Sequence, residues 1–222
     1  MTPKHFSRSE IESMEQRYRV KFINSLPGYK SLNLVGTISP DGEDNVSIVS
    51  TVTHFGSAPP LLGYVSRPAT VDRHTLSNIE ANGCYTLNQV STAHFAAAHQ
   101  TSARYPRETS EFDATGLERV FRDGIEAPFV ASSPVQIHLE FRQKIDIELN
   151  GTVLILGEVK DVFVDPKLIE TDGNIDLALA ATAAGSGLDG YYAPELISRV
   201  SYAKPDQPVT DLATGEELWK SC

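Results

Sequence analysis

Two runs of alternating apolar and polar residues meet at Asn150-Gly151: PVQIHLEFRQKIDIEL (134–149) and TVLILGEVKDVFV (152–164). Side chains on a strand alternate between its two faces, so this period of two argues for strands and against a helix. Asn-Gly suits the positive-φ positions of a tight hairpin turn. The pair reads as one long antiparallel hairpin whose first strand is bent. The second strand is apolar on both faces at its start, which puts it at the centre of a sheet.

A second hairpin is expected upstream. SLNLVGTIS (31–39) reads as a strand, Pro40, Asp41 and Gly42 as a turn, and 45–55 as the returning strand. Within that return, VSIVSTVTHF (46–55) interleaves β-branched residues with Ser and Thr. As one strand it places Ser47, Val49, Thr51 and Thr53 on one face and Ile48, Ser50, Val52 and His54 on the other. SAPPLLGYVSRP (57–68) is a further strand ending at Arg67. RHTLSNI (73–79) opens a helix with a cation and a hydroxyl, where free backbone N–H groups favour a phosphate. YTLNQV (85–90) is a strand carrying a lone amide, Asn88.

The helices are few. Ser7 or Ser9 caps a first helix that runs to about Phe22, with Ile11, Met14, Tyr18 and Phe22 at helical spacing. Pro27 and Gly28 break it. Residues 91–120 read as loop and short helix, DLALAATAA (176–184) as a short helix, and the tail after Lys204 as extended over the surface or a partner. No period of 20–50 residues repeats. A mainly β, barrel-like fold with peripheral helices follows, and 222 residues suit a single domain, 1–222, with its core over about 20–204 and a tail at 205–222.

Composition narrows the function. The net charge of −10 argues against nucleic acid as a partner, because phosphate neutralisation needs basic surface. A phosphate-bearing ligand therefore needs a local cluster of cations and N–H donors. The polar N-terminus lacks an apolar signal core and no window approaches a membrane span. Cys84 and Cys222 are the two cysteines and do not suggest a disulfide; a reducing cytoplasm fits. No His/Cys/Asp/Glu spacing suits zinc, and no nucleophile elbow or triad appears. Gly185, Gly187 and Gly190 spell G-x-G-x-x-G, but an Ala-rich segment precedes them where a dinucleotide fold needs a strand. They read as a loop presenting Tyr191 and Tyr192.

Read in order, five motifs make the chain resemble the flavin reductase-like, FMN-binding split-barrel family. They are Asn45 after a Gly-containing turn; Ser50 and Thr51 in a hydroxyl-rich strand; Pro59 and Pro60 leading to Ser66, Arg67 and Pro68; Arg73, Thr75, Asn78 and Ile79 at a helix start; and a strand ending in Asn88. The block HQTSARYPRETSEF (99–112) is similar to the family's TSA…EF segment, and GTVLILGEV (151–159) to its Gly-Glu-Val strand. The resemblance implies a split β-barrel that binds FMN, pairs into a homodimer, and takes electrons from NAD(P)H as a flavin reductase or as the reductase component of a two-component monooxygenase. Flavoredoxin-type electron carriers are the rival within the family. Some members carry a Gly-Asp-His turn that helps bind nicotinamide nucleotide; Leu149, Asn150, Gly151 and Thr152 stand there instead.

The cofactor-binding candidates are Asn45, Ser50, Thr51, Val52, Ser66, Arg67, Arg73, His74, Thr75 and Asn88. Several have a plainer reading. Asn45 suits turn chemistry, His74 a packed histidine, Arg67 an ion pair, and Asn88 either a structural amide or a donor to the flavin ring edge. No acid–base pair is expected, since flavin carries the hydride and electron chemistry and the protein binds, orients and tunes it.

Overall fold

The computed structural model describes residues 2–68 and 74–219. Two helices, α1 (Arg8–Ser13) and α2 (Gln16–Ser25), precede a short strand β1 (Lys30–Ser31). Then come β2 (Asn33–Ile38), β3 (Asp44–Val49), β4 (Thr53–Ser57), β5 (Pro60–Ser66), α3 (His74–Asn82) and β6 (Cys84–Gln89). Next are α4 (Phe95–Gln100), α5 (Glu111–Thr115), the hairpin β7 (Arg119–Arg122) and β8 (Ile125–Val130), and the long hairpin β9 (Val135–Ile147) and β10 (Thr152–Val164). The chain ends in two small hairpins, β11 (Ala184–Ser186) with β12 (Gly190–Tyr192) and β13 (Val209–Thr210) with β14 (Glu217–Trp219).

Seven strands form one sheet in the order β3-β2-β6-β9-β10-β5-β4, antiparallel at every step. The β9–β10 hairpin is the long one expected from residues 134–164. Two register shifts in it, at Leu156/Gly157 and Val159/Asp161, supply its bend. Gly151 takes the turn with φ +70°. At Gly157 a Cβ would overlap the Tyr85 hydroxyl, which explains the glycine of the Gly-Glu-Val strand.

The sheet closes on itself. β3 and β4 lie at its opposite ends, yet only residues 50–52 separate them in the chain. At that crossing the Thr51 hydroxyl accepts from Val65 N (2.9 Å) and donates to Val65 O (3.2 Å), tying the β3 end to β5. The result is a mainly β split barrel with peripheral helices. Residues 46–55 are therefore two strands where one was expected, because the chain leaves one sheet edge to join the other. The crossing also resets the alternation: Val49 and Val52, expected on opposite faces, pack against the same apolar cluster.

Two clusters of buried residues cover the two faces. One joins Val35, Tyr85, Leu87, Leu139, Val153 and Ile155 to Leu76 and Ile79 of α3. The other joins Leu34, Val46 and Val90 to Phe112 of α5, Ala98 of α4 and Val130 of β8.

Three further segments differ from expectation. The first helix is two: Met14 is extended (φ −60°, ψ 145°) and the Glu15 carboxylate caps the second by accepting from Tyr18 N (2.9 Å). Residues 176–184 form mostly turns and a bridge, since Ala183 N donates to Val90 O and Thr182 pairs with Ser91, so the chain just past the end of β6 takes their backbone groups. The β7–β8 hairpin was not anticipated, although its turn carries the hairpin dipeptide Asp123-Gly124. Gly185, Gly187 and Gly190 lie in or beside β11 and β12, where Gly187 takes φ +60° in a tight turn.

Candidate functional site

The candidate residues divide by face. In the β2–β3 register Thr37 pairs with Asn45 and Val35 with Ser47; in the β2–β6 register Leu34 pairs with Asn88. Paired side chains share a face and neighbours alternate. Asn45 and Ser47 therefore point to the α3 side of the sheet, and Asn88 to the opposite side.

On the α3 side the polar groups converge. Thr75 Oγ1 lies 2.8 Å from Asn45 Oδ1 and 2.9 Å from Ser47 Oγ. Asn45 is buried and its Nδ2 donates to Glu111 Oε2 (2.7 Å), which also accepts from Val46 N (3.2 Å). Burial pushes the Glu111 carboxyl above the usual range, while its bonds to Asn45 and Val46 and the nearby His74 pull it back. His74 lines a small cleft here with Asn45, Asn78 and Arg107. Glu111 was not among the sequence candidates. The one signal for it was its place in the TSA…EF segment, because an acid in a polar loop gives no sign of burial by itself.

The barrel seam brings a second group together. Ser50, Thr51 and Val52 form the crossing, and Ser66 ends β5, the strand to which Thr51 bonds, with Arg67 just beyond it. Ser66 faces Val153 across the β5–β10 ladder, and Gly151 of the long turn lies against Pro68. The turn that carries a His in some relatives thus adjoins the Arg67 end of β5. Here it is closed on itself: Asn150 Oδ1 accepts from Thr152 N (3.0 Å) and Thr152 Oγ1 (2.7 Å). Arg67 is exposed and has no acidic partner among the described residues. Arg73 lies outside the described residues.

Asn88 stands apart. It is fully buried, and its Nδ2 donates to Leu34 O (3.1 Å) and Thr86 Oγ1 (2.8 Å) while its Oδ1 accepts from Val130 N (3.0 Å). Both donors are used within the protein, and they knit β2, β6 and β8 together.

The donor set on the α3 side and the seam suits a phosphate monoester attached to an extended polar chain. It offers the Arg67 guanidinium, which has no acidic partner among the described residues, the Ser50 and Ser66 hydroxyls, and the start of a helix, the end where anions are favoured. Among the described residues no group of three His, Cys, Asp or Glu is placed to hold a metal, and no helix is long and apolar enough to cross a membrane.

Comparison with known proteins agrees with this architecture. A structure from Shewanella frigidimarina, assigned as a flavin reductase with split barrel domain, is 45% identical, covers 90% of this chain and 100% of its own, and superposes with a TM-score of 0.88. Nitrilotriacetate monooxygenase component B from Bacillus cereus shares the fold at 17% identity (90% and 99% covered, TM-score 0.79). So does flavoredoxin of Desulfovibrio vulgaris at 24% (85% and 94%, TM-score 0.67). The family model for the flavin reductase like domain matches residues 30–179, and the chain belongs to that family.

Proposed function

We propose that the chain binds FMN along the barrel seam and the start of α3, and that it is an oxidoreductase moving electrons between a nicotinamide nucleotide and that flavin. The observation that carries this reading is the juxtaposition, at one end of the closed barrel, of Ser50, Val52, Ser66 and Arg67, which has no acidic partner among the described residues. Arg67, with Arg73 from the same segment of sequence, supplies positive charge for the phosphate in a chain whose net charge is −10. Val52 supplies apolar surface, and the hydroxyls of Ser50 and Ser66 suit the ribityl chain. Asn45, Thr75 and His74 fix the α3 end of the site. Bound flavin would supply the hydride and electron chemistry; the residues named bind it, orient it and limit water around it.

The role is that of a flavin reductase, including the reductase component of a two-component monooxygenase, a reading supported by the likeness to nitrilotriacetate monooxygenase component B of Bacillus cereus. A second reading, an electron carrier like the Desulfovibrio flavoredoxin, is favoured by one observation. The 149–152 turn beside Arg67 presents no imidazole and spends its Asn150 carbonyl internally.

The working unit is proposed to be a homodimer in the cytoplasm. In the single chain α1 and α2 bury no residue, while Leu26, Tyr29, Ile197, Tyr202 and Trp219 are exposed. Apolar surface of that kind marks an association face.

The test is a visible spectrum of the purified protein followed by stopped-flow mixing with NADH and NADPH. Binding of FMN with reduction by either nucleotide is expected for the reductase. FMN binding without reduction by either supports the carrier, and failure to bind any flavin overturns both.

A further inference from the structure

Residues 37–111 contain a chain of hydrogen bonds that runs in one direction. Arg107 Nη2 donates to Asn78 Oδ1 (3.4 Å), and Asn78 Nδ2 donates to Thr37 Oγ1 (3.2 Å). Thr37 donates to Asn45 Oδ1 (3.4 Å), and Asn45 Nδ2 donates to Glu111 Oε2 (2.7 Å). A second branch enters at Asn45 Oδ1 from Thr75 Oγ1 (2.8 Å). A guanidinium has no acceptor and a carboxylate no donor, so the two ends fix the sense of every bond between them.

The consequence falls on Thr75. Its single proton goes to Asn45, so Ser47, 2.9 Å away, must be the donor in their shared bond. The Thr75 hydroxyl at the start of α3 and the Ser47 hydroxyl of β3 therefore both point their protons into the fold. Neither is a donor to an incoming anion. Their work is to pin the first turn of α3 to β3.

We propose that Glu111, remote in sequence from every candidate binding residue, is the positioning residue for the anion end of the site. It orients the Asn45 amide, whose Oδ1 accepts the hydrogen bond from Thr75 and so holds the start of α3 in register with β3. The inference rests on the reading of this chain as an FMN binder and adds the residue that sets its preference for the phosphate.

The experiment uses the full chain and compares Glu111→Gln and Glu111→Leu for binding of FMN and of riboflavin, which lacks the phosphate. One carboxylate oxygen accepts both the Asn45 and the Val46 bonds, and a Gln carbonyl can do the same. Glu111→Gln is expected to keep the wild-type ratio of riboflavin to FMN dissociation constants. Glu111→Leu is expected to shrink that ratio about tenfold, the equivalent of roughly 1.4 kcal/mol, with riboflavin binding little changed. Should Glu111→Leu not fold, Thr75→Val removes the same branch without touching Glu111 and is expected to shrink the ratio in the same direction. Equal weakening of both flavins, or an unchanged ratio in the variant that folds, overturns the proposal. A wild-type chain that binds flavin with no preference for FMN overturns the phosphate reading itself, and that result is read before any variant is made.

Discussion

Asn45 and Asn88 are both buried amides on strands of the same sheet, and they do opposite jobs. Asn88 faces the β8 side and spends both donors and its carbonyl on neighbouring backbone and the Thr86 hydroxyl. Its bonds end where they begin, inside the wall. Asn45 faces the α3 side and passes its bonds on, from Thr75 and Thr37 to Glu111. One amide closes the barrel wall; the other connects the carboxylate at the start of α5 to the start of α3. A buried polar side chain has to be bonded, but which face it occupies decides whether the bond serves the fold or the site.

The largest effect is expected at Asn88. Asn88→Ala strands the Val130 N–H and removes two further bonds in a fully buried position. An unsatisfied buried group costs about 1–3 kcal/mol, so about 3 kcal/mol in all is expected. For a chain of this size that is a fall in Tm of roughly 6–12 °C. The flavin midpoint potential should stay where it is. A potential that moves by tens of millivolts while Tm holds would put Asn88 at the flavin ring and erase the contrast with Asn45.

A smaller, pH-dependent effect is expected at Glu111. Burial, the dominant cause, raises its folded-state value above its unfolded one. The folded protein then holds this proton more tightly. The associated stability is present below the unfolded value and is lost as pH rises through the folded one. Gln carries no such proton. The Tm of Glu111→Gln relative to wild type should therefore climb as pH rises from the ordinary carboxyl value through the raised folded one. A difference that stays flat or falls would mean the folded carboxyl is held down by Asn45, Val46 and His74, outweighing burial.

The contrast also marks what could be seen in the sequence. The β9–β10 hairpin, the β2–β3 hairpin, α3 and β6 were legible because period-two alternation and turn dipeptides are local signals. The break at 50–52 was not. Ser-Thr-Val continues the β-branched pattern without a Gly or Pro, and the crossing is fixed by Val65, fourteen residues on. The candidate residues were legible as types but not as faces. Asn88 and Asn45 look alike in sequence, and their separation emerges from the register of β2 against both neighbours. Glu111 was hidden for the same reason: its partner Asn45 lies 66 residues away.

The smallest effect sharpens the comparison at the barrel seam. Thr51, like Asn88, bonds backbone with its side chain, accepting from Val65 N and donating to Val65 O. Unlike Asn88 it is exposed, so water can replace what is lost. Thr51→Val keeps the shape and removes the hydroxyl, and about 1 kcal/mol is expected, the net worth of an ordinary bond. That corresponds to a drop in Tm of about 2–4 °C. The local effect should exceed the global one, because the seam is held there by a side chain rather than a continuous ladder. Amide exchange at Val65 should therefore accelerate more than the change in Tm explains. If instead exchange and Tm are unchanged while FMN affinity falls, the Thr51 hydroxyl serves the ligand directly. The seam would then belong with Asn45 and the site rather than with Asn88 and the wall.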